Sequence, residues 1–566
     1  MKIILSSFQN ILTKTERIKI FILIAIFIFN ALFELLGLGL IMSIFYLIID
    51  EKNFTLIINK SIFFENYTYN EMINICAIGL VIIFLLKSAL VFFTNLIQSK
   101  IYTNIHFRLA NKLLLSYLNK EYNFFFSRNR AKLAFNIANE IEQICIRLIN
   151  PILNIISETI IVMLILSFFI FQFKNFLIYF IIFVSFYLLF YFFTKNISFK
   201  LGEVRKHNQL SKAAILKDVF NGIKQIKMQK IEIFFYNQFC KLNMRALNAF
   251  VKSSVIGFLP KIIIELIVTI FIASFIIYFN SKNEIKEAIP ILGITFLLVV
   301  RLMPSLNKII TALNTVKFTM PSLQNIYKDL TDTNEKKNTT NEINELIFLN
   351  KNIQLENITF QYKNFEKKIL ENANLEIVKN SFIGIKGPSG SGKTTLIDLI
   401  AGLLKPTSGH ILIDDVSINN LHLNKIIGYM GQETFLFNDK LIKNIALGVE
   451  ENKINLKKIN QTLNLAKLDD FTFNLPGKLD FIIGENGINI SGGEKQRIGI
   501  ARLLYFDYPV IIFDEATNAL DSINESKILE TIYSLKGLKT IILISHKIEN
   551  LRKCDNIYEI IGGKII

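Results

Sequence analysis

Residues Phe382–Leu399 read FIGIKGPSGSGKTTLIDL. An apolar run of strand character (382–385) enters a glycine-rich loop, and the loop opens into a segment of helical character. Gly387, Gly392, Lys393 and Thr394 satisfy G-x-x-x-x-G-K-[ST] without a mismatch. The chemistry is that of a phosphate cradle. Glycines let the backbone turn tightly, so successive N–H groups and a helix N-terminus face the β- and γ-phosphates. Lys393 places its ammonium between those phosphates, and the Thr394 hydroxyl can join Mg²⁺. A flexible Gly/Ser loop has a similar composition, but here strand, loop and helix stand in the required order. The stretch predicts a site for ATP with Mg²⁺. Its candidate residues are Gly387, Pro388, Ser389, Gly390, Ser391, Gly392, Lys393, Thr394 and Thr395.

The rest of the composition is not that of an ordinary soluble enzyme. The 566 residues leave room for about three or four average domains. Hydrophobic residues make up 52% of the chain, Phe alone numbers 51, and the mean hydropathy is +0.42. The net charge of +17 would suit a nucleic-acid binder. In so apolar a chain, lysines flanking apolar segments explain it better. Cys76, Cys145, Cys240 and Cys554 are scattered and form no metal spacing or disulfide framework. The first apolar run is too long for a signal peptide and lacks a small-residue cleavage site.

Six stretches can each cross a hydrocarbon core, which takes about 20 apolar residues. They are 20–49, 73–97, 150–172, 176–194, 258–279 and 289–316, the last two interrupted by polar residues. One such segment could be a buried soluble helix; six in succession could not. Lys2, Lys14, Arg17 and Lys19 lie at the N-terminus, and 98–148 and 195–253 hold eight and twelve Lys/Arg. The connections near 50–72, 173–175 and 280–288 are short and hold few. The positive-inside rule then places the N-terminus, both long basic stretches and the phosphate loop on the cytoplasmic side. Both basic stretches read as helices that continue out of the membrane, reverse and return. Their tips, Glu121–Arg128 and Gly222–Phe239, carry aromatics that call for cover by another domain or a membrane surface. Residues 331–350 read as a polar linker.

Beyond the linker, Leu355–Tyr362 and the segments around Ile377, Ile411, Val510 and Ile541 have strand character. With helices between them they predict an α/β domain with a largely parallel sheet. Val510–Glu515, VIIFDE, is an apolar strand ending in acids. Asp514 is placed to hold Mg²⁺ through water, and Glu515 to polarise an attacking water. Ile490–Arg497, ISGGEKQR, offers Ser491, Gly492, Gly493 and Glu494 at another helix N-terminus, a second anion site. One γ-phosphate does not need two such sites in one chain. A dimer in which this site caps the partner's nucleotide explains both.

With these elements in order, the chain resembles an ABC exporter half-transporter over nearly its whole length. That family has an α-helical six-span transmembrane domain, here 1–330, followed by an α/β P-loop ATPase domain, here 351–566. ISGGE resembles the family's LSGGQ signature with Ile490 for Leu and Glu494 for Gln. The resemblance implies that Tyr362 stacks on adenine and that Gln432 senses Mg²⁺ and the membrane domain. It also implies that Asp521 makes a dimer contact and that His546 is the switch histidine. Gly484-Glu485-Asn486-Gly487 resembles the exporter-specific loop before the signature. Catalytic roles thus fall to Glu515, His546 and Gln432, metal contacts to Thr394, Gln432 and Asp514, and the expected assembly is a homodimer.

Arg301–Asn314 (RLMPSLNKIITALN), Leu259–Glu265 (LPKIIIE) and Glu34 resemble PglK/Wzk-type flippases of lipid-linked oligosaccharides. That resemblance implies a multi-pass protein of the bacterial inner membrane moving a polyprenyl-pyrophosphate-linked glycan. Lys87, Lys261 and Arg301 lie within or beside apolar spans, where a charge should face a wet cavity or a partner. They could hold a pyrophosphate, snorkel to the interface, or pair with Glu34, Glu158 or Glu265. Other substrates, namely lipid A, drugs or a peptide, stay open. A purely regulatory ATPase is disfavoured by the six spans, and the short stretch before the first span disfavours a peptide processor.

Overall fold

The computed structural model describes residues 12–49, 68–126, 128–172, 176–281, 285–331, 349–362, 367–417, 423, 426–517 and 522–566. The expected linker falls mostly outside the described residues, and Asp521 falls outside them altogether. The chain divides into two compact units: Met1–Lys120 with Phe125–Asn338, and Glu121–Phe124 with Thr339–Ile566.

The first unit is helical. Its long helices are α1 (Lys14–Ile49), α2 (Tyr69–Leu118), α3 (Asn150–Gln172), α4 (Phe176–Asn221), α5 (Glu232–Ser281) and α6 (Ile285–Thr331). Each contains one of the six apolar stretches. Among the described residues, four helical segments are long and apolar enough to cross a membrane: Lys14–Ile41, Tyr69–Leu118, Arg130–Ser167 and Glu232–Ile263. At 50 residues each, α2 and α5 far exceed the length a bilayer needs.

The chain reverses after α2 through a short helix, Asn123–Phe126, and Asn129 restarts helix by accepting the Ala131 N–H at 2.9 Å. After α4 it reverses through Ile223–Gln229, which stops at Lys230 in the left-handed conformation (φ 55°). Met228, Ile233, Phe234 and Tyr236 at this second tip are exposed on the unit. At the first tip, Glu121–Phe124 belong to the second unit.

Leu38, Val162, Ile165, Leu302, Leu306 and Ile310 form a core where α1, α3 and α6 meet. Elsewhere α4 lies so close to α6 that a Cβ on Gly202 would stand 2.0 Å from the Phe318 carbonyl oxygen. Only glycine, which lacks a Cβ, allows that approach. A buried polar hub ties the end of α6 to the end of α2. Asp329 accepts from Tyr117 Oη at 2.6 Å, Arg128 at 2.9 Å and Asn136 at 3.4 Å. Asp329→Ala strips three donors of one acceptor and should destabilise the unit by about 1–3 kcal/mol, with Tyr117→Phe costing less. Thermal melting of both variants checks this; an unchanged Asp329→Ala melt would contradict it.

The second unit holds two sheets. A six-stranded sheet runs in the order β10-β9-β3-β8-β7-β6, with β3 (Phe382–Lys386), β6 (Ile427–Met430), β7 (Val510–Asp514), β8 (Thr540–Ile544), β9 (Asn556–Ile561) and β10 (Lys564–Ile565). It is parallel except for β10. Strands β7 and β8 are buried throughout, as a parallel sheet covered on both faces requires.

The remaining strands depart from the expected single sheet. β1 (Asn352–Phe360), β2 (Leu370–Val378), β4 (Ser408–Ile413) and β5 (Val416–Ser417) form a separate antiparallel sheet in the order β2-β1-β4-β5. Connection length explains the difference. A parallel crossover takes about a dozen residues or more, usually with a helix, and the link from Phe360 to Leu370 is shorter. Tyr362 also lies beyond the end of β1, not within the strand as expected. Asp414 and Asp415, both at positive φ (49° and 67°), make the two-residue turn between β4 and β5.

Candidate active site

The phosphate loop joins β3 to α7 (Lys393–Ile400). Gly387 has φ +154°, and a Cβ there would meet the Ile560 carbonyl oxygen at 2.7 Å. Gly392 caps α7 at φ +104°, with Ile369 Cγ2 3.0 Å from its Cβ position. Nothing lies within 4 Å of the Gly390 Cβ position, so that backbone is open to a ligand. Lys393 is buried and donates to the carbonyls of Gly387 (2.8 Å) and Pro388 (3.2 Å). The Ser391 hydroxyl is buried with no partner among the described residues. Such a loop, with a buried ammonium and an unmatched hydroxyl, fits an anionic ligand.

A cleft of about 520 Å³ opens over this loop. Ser389, Gly390, Gly392, Lys393, Thr394 and Thr395 line one side, and Gln432, Glu515 and His546 the other. Residues far apart in sequence therefore meet in one cleft. The parallel order explains why: β3, β8 and β7 are adjacent, so their C-terminal ends deliver the loop, His546 and Glu515 to one edge.

Glu515 follows β7 in the left-handed region (φ 50°), an uncommon state for a non-glycine residue and one that clusters at functional sites. Its N–H donates to the Ile544 carbonyl at 3.2 Å, and Oε1 lies 2.7 Å from His546 Nε2. The turn carrying His546 is itself held. Lys547 and Asn550 both bind Glu525, the latter at 2.8 Å, and Ser545 N–H donates to Ile385 at 3.3 Å. Arg502 fixes the loop beyond Gln432 by donating to the Phe435 and Asn444 carbonyls at 3.2 and 2.8 Å.

Asp514 lies behind the cleft and is buried. Burial pushes its carboxyl up, Glu515 adds to that, and the Tyr429 hydroxyl, donating at 3.2 Å, opposes it together with Lys393. Tyr429 and Asp398 were not among the residues singled out from sequence. Asp398 left one signal, a lone acid in the apolar run LIDLIA. Burial first, then the nearby Asp514 charge, pushes its carboxyl up to about 6.

The sign of the resulting pH effect follows. Between the ordinary 3.8 and about 6 the folded chain holds a proton that the unfolded chain has lost. Stability therefore falls as pH rises through that window, by about 3 kcal/mol above it. Asp398→Asn should raise the melting temperature of the second unit at about pH 7.5 and change it little at about pH 3, below the ordinary carboxylate value. Equal melting of both proteins at the higher pH would contradict this.

Other expected residues stand outside the cleft. Tyr362 sits beside it, its hydroxyl 3.3 Å from Thr395 Oγ1 and its ring edge-on to Phe360 at 4.9 Å. Ser491, Gly492, Gly493 and Glu494 do not line it. They begin α8 (Gly492–Phe506) as a capping box: the Ser491 hydroxyl accepts the Glu494 N–H at 3.4 Å, and the Glu494 carboxylate accepts the Ser491 N–H at 2.7 Å. Glu and Gln both serve this motif, and Glu494 fills its third position.

The three expected membrane cations do not form one free cluster. Lys87 on α2 pairs with Glu34 on α1 at 3.2 Å, and Arg301 on α6 contacts the same carboxylate. Lys261 lies apart on an exposed face of α5, 3.7 Å from Glu265. Lys308 takes Glu158 at 2.7 Å. A carboxylate buried among apolar helices demands a partner, and these cations supply it.

Comparison with known proteins bears on both units. Residues 20–298 match the family described as ABC transporter transmembrane region, and residues 370–518 the family described as ABC transporter. An ATP-dependent lipid A-core flippase of Syntrophus aciditrophicus (strain SB) is 28% identical over 512 residues, 88% of this chain and 82% of that protein. The Lactococcin-G-processing and transport ATP-binding protein LagD of Lactococcus lactis subsp. lactis is 37% identical, over 41% of this chain and 33% of that protein. A bacterial Atm1-family ABC exporter, solved with ATP bound, superposes with a TM-score of 0.80 at 20% identity, covering 98% of this chain and 95% of that one. Helices that cross a membrane thus precede, in one chain, an ATPase whose hydrolysis of ATP is coupled to transport, and the chain belongs to the ABC exporters as a half-transporter.

Proposed function

We propose that two copies of this chain use ATP to flip a polyprenyl-pyrophosphate-linked oligosaccharide across the bacterial inner membrane, with N-termini and ATPase units cytoplasmic. The observation that carries the substrate reading is the meeting of α1, α2 and α6 at Glu34, Lys87 and Arg301. Two cations face one carboxylate there, leaving an excess positive charge within apolar helices. Such a charge needs a reason, and an anionic head group supplies one. The flippase named among the relatives supports a lipid substrate. The stretches Arg301–Asn314 and Leu259–Glu265 favour the lipid-linked glycan over lipid A-core.

In the ATPase unit, Glu515 serves as the base that activates water, held by His546, and Tyr362 stacks on adenine. Thr394, Gln432 and Asp514 offer the hard oxygen donors that suit Mg²⁺, which when bound would offset phosphate charge. Ser491 to Glu494 act on the nucleotide of the second copy, because they present a helix N-terminus away from their own cleft.

Two experiments test this. Mixing Lys393→Ala chains with Ser491→Arg chains leaves one composite site intact in each mixed dimer. ATPase activity should exceed that of either mutant homodimer, and no gain would contradict the head-to-tail arrangement. For substrate, ATPase activity in liposomes should rise with the lipid-linked oligosaccharide above its rise with lipid A-core, a cationic drug or a peptide. Stimulation by lipid A-core alone would transfer the assignment to that lipid.

A further inference from the structure

A second cationic site lies in the helical unit, apart from Glu34 and its partners. A cavity of about 230 Å³ opens between the residues that precede α3, the C-terminal part of α4 and the first half of α5. Arg147, Arg205, Lys212, Gln209 and Asn243 supply its polar lining, and Phe250 an apolar wall.

Of the three cations only Arg205 is paired with a carboxylate among the described residues. Arg205 is 3% exposed. Its terminal nitrogens donate to Ser322 Oγ at 2.7 Å and Gln209 Oε1 at 2.9 Å, with Glu140 at 3.4 Å. Its Nε is buried with no partner among the described residues. The Arg147 guanidinium lies over the Phe250 ring at 4.4 Å, and among the described residues no carboxylate pairs with it. Lys212 donates to the neutral Asn243 at 3.2 Å. Three cations thus line the cavity, and one carboxylate, Glu140, pairs with one of them.

The backbone is adapted here as well. Helix before α3 is interrupted by two π turns, Asn136–Glu140 and Cys145–Ile149. One ends in Glu140 and the other carries Arg147. A π turn inserts one residue and re-aims the side chains beside it, and such turns are frequent at functional sites.

We propose that this cavity binds a phosphate-class anion. Arginine forks match phosphate oxygens, and the unpartnered Arg205 Nε supplies an N–H that such an oxygen would accept. The shared chemistry has two sources, a soluble polyphosphate or a phospholipid head group. The assignment does not depend on which lipid the transporter moves.

The chain contains no tryptophan, which makes a local reporter simple. Phe250→Trp places the sole indole against Arg147, and Leu247→Trp provides a second position in the lining. Both are made in full-length protein carrying Lys393→Ala, to weaken binding at the phosphate loop, and reconstituted in phosphatidylcholine nanodiscs. Inorganic pyrophosphate is titrated in one arm; nanodiscs with phosphatidic acid replace it in the other. A saturable change in indole emission is expected in at least one arm, with Arg147→Gln weakening it about tenfold or more. A response to pyrophosphate assigns a soluble anion, and a response to phosphatidic acid alone assigns a head group. Arg147→Lys should retain part of it. If Arg147→Gln melts early, Lys212→Gln takes its place. No response in either arm, or a response unmoved by the neutralised variant, overturns the proposal.

Discussion

A Glu515→Gln variant is expected to bind ATP normally and to hydrolyse it about 10²–10⁴ times more slowly than the wild-type chain, the contribution a positioned general base makes. The geometry behind this is specific. Glu515 leaves β7 in a left-handed conformation, is pinned by its own N–H to Ile544, and turns its carboxylate toward the cleft beside His546. Gln keeps the shape and one acceptor oxygen but cannot take a proton from water. Bound ATP should then accumulate and hold the two copies together. Phosphate release at saturating Mg-ATP, measured beside equilibrium ATP binding, checks both halves. Turnover near wild type would remove Glu515 from the role of base, and lost ATP binding would point to a structural role instead.

Replacing Lys87 and Arg301 together with Gln is expected to unfold the helical unit more readily, because it strands Glu34. That carboxylate is 6% exposed. Leaving a buried charge without its partners costs about 3–5 kcal/mol, or about 5–10 °C in melting temperature for a unit of this size. Adding Glu34→Gln removes the stranded charge and should restore most of the melting temperature. The triple variant then separates architecture from transport: it should be folded, hydrolyse ATP and fail to flip the lipid. A double variant that melts and flips like wild type would show that neither the pairing nor the cations matter.

Much of this was legible in the chain because some signals are local. The phosphate loop is fixed by a backbone that only glycine tolerates at Gly387 and Gly392, so its spacing is a direct record of its geometry. Six apolar stretches announce six long helices because hydrocarbon permits little else. The second sheet was not legible. β1 and β2 carry the same strand character as β3, and only the length of the link between them decides which sheet they join. The meeting of Glu34 with Lys87 and Arg301 was open to three readings, since pairing across helices depends on packing that no short window contains. Tyr429 escaped notice for the same reason. Its role exists only because β6 pairs with β7 and brings the phenol to Asp514.

The most direct test is ATP-driven movement of the lipid itself. Purified wild-type protein and Glu515→Gln are reconstituted in separate proteoliposomes with a polyprenyl-pyrophosphate-linked oligosaccharide, and glycan exposed on each leaflet is measured with and without Mg-ATP. Transfer between leaflets is expected in wild-type vesicles only when Mg-ATP is present, and none with Glu515→Gln. Vigorous ATP hydrolysis without transfer of this lipid, or transfer that persists with Glu515→Gln, would contradict it.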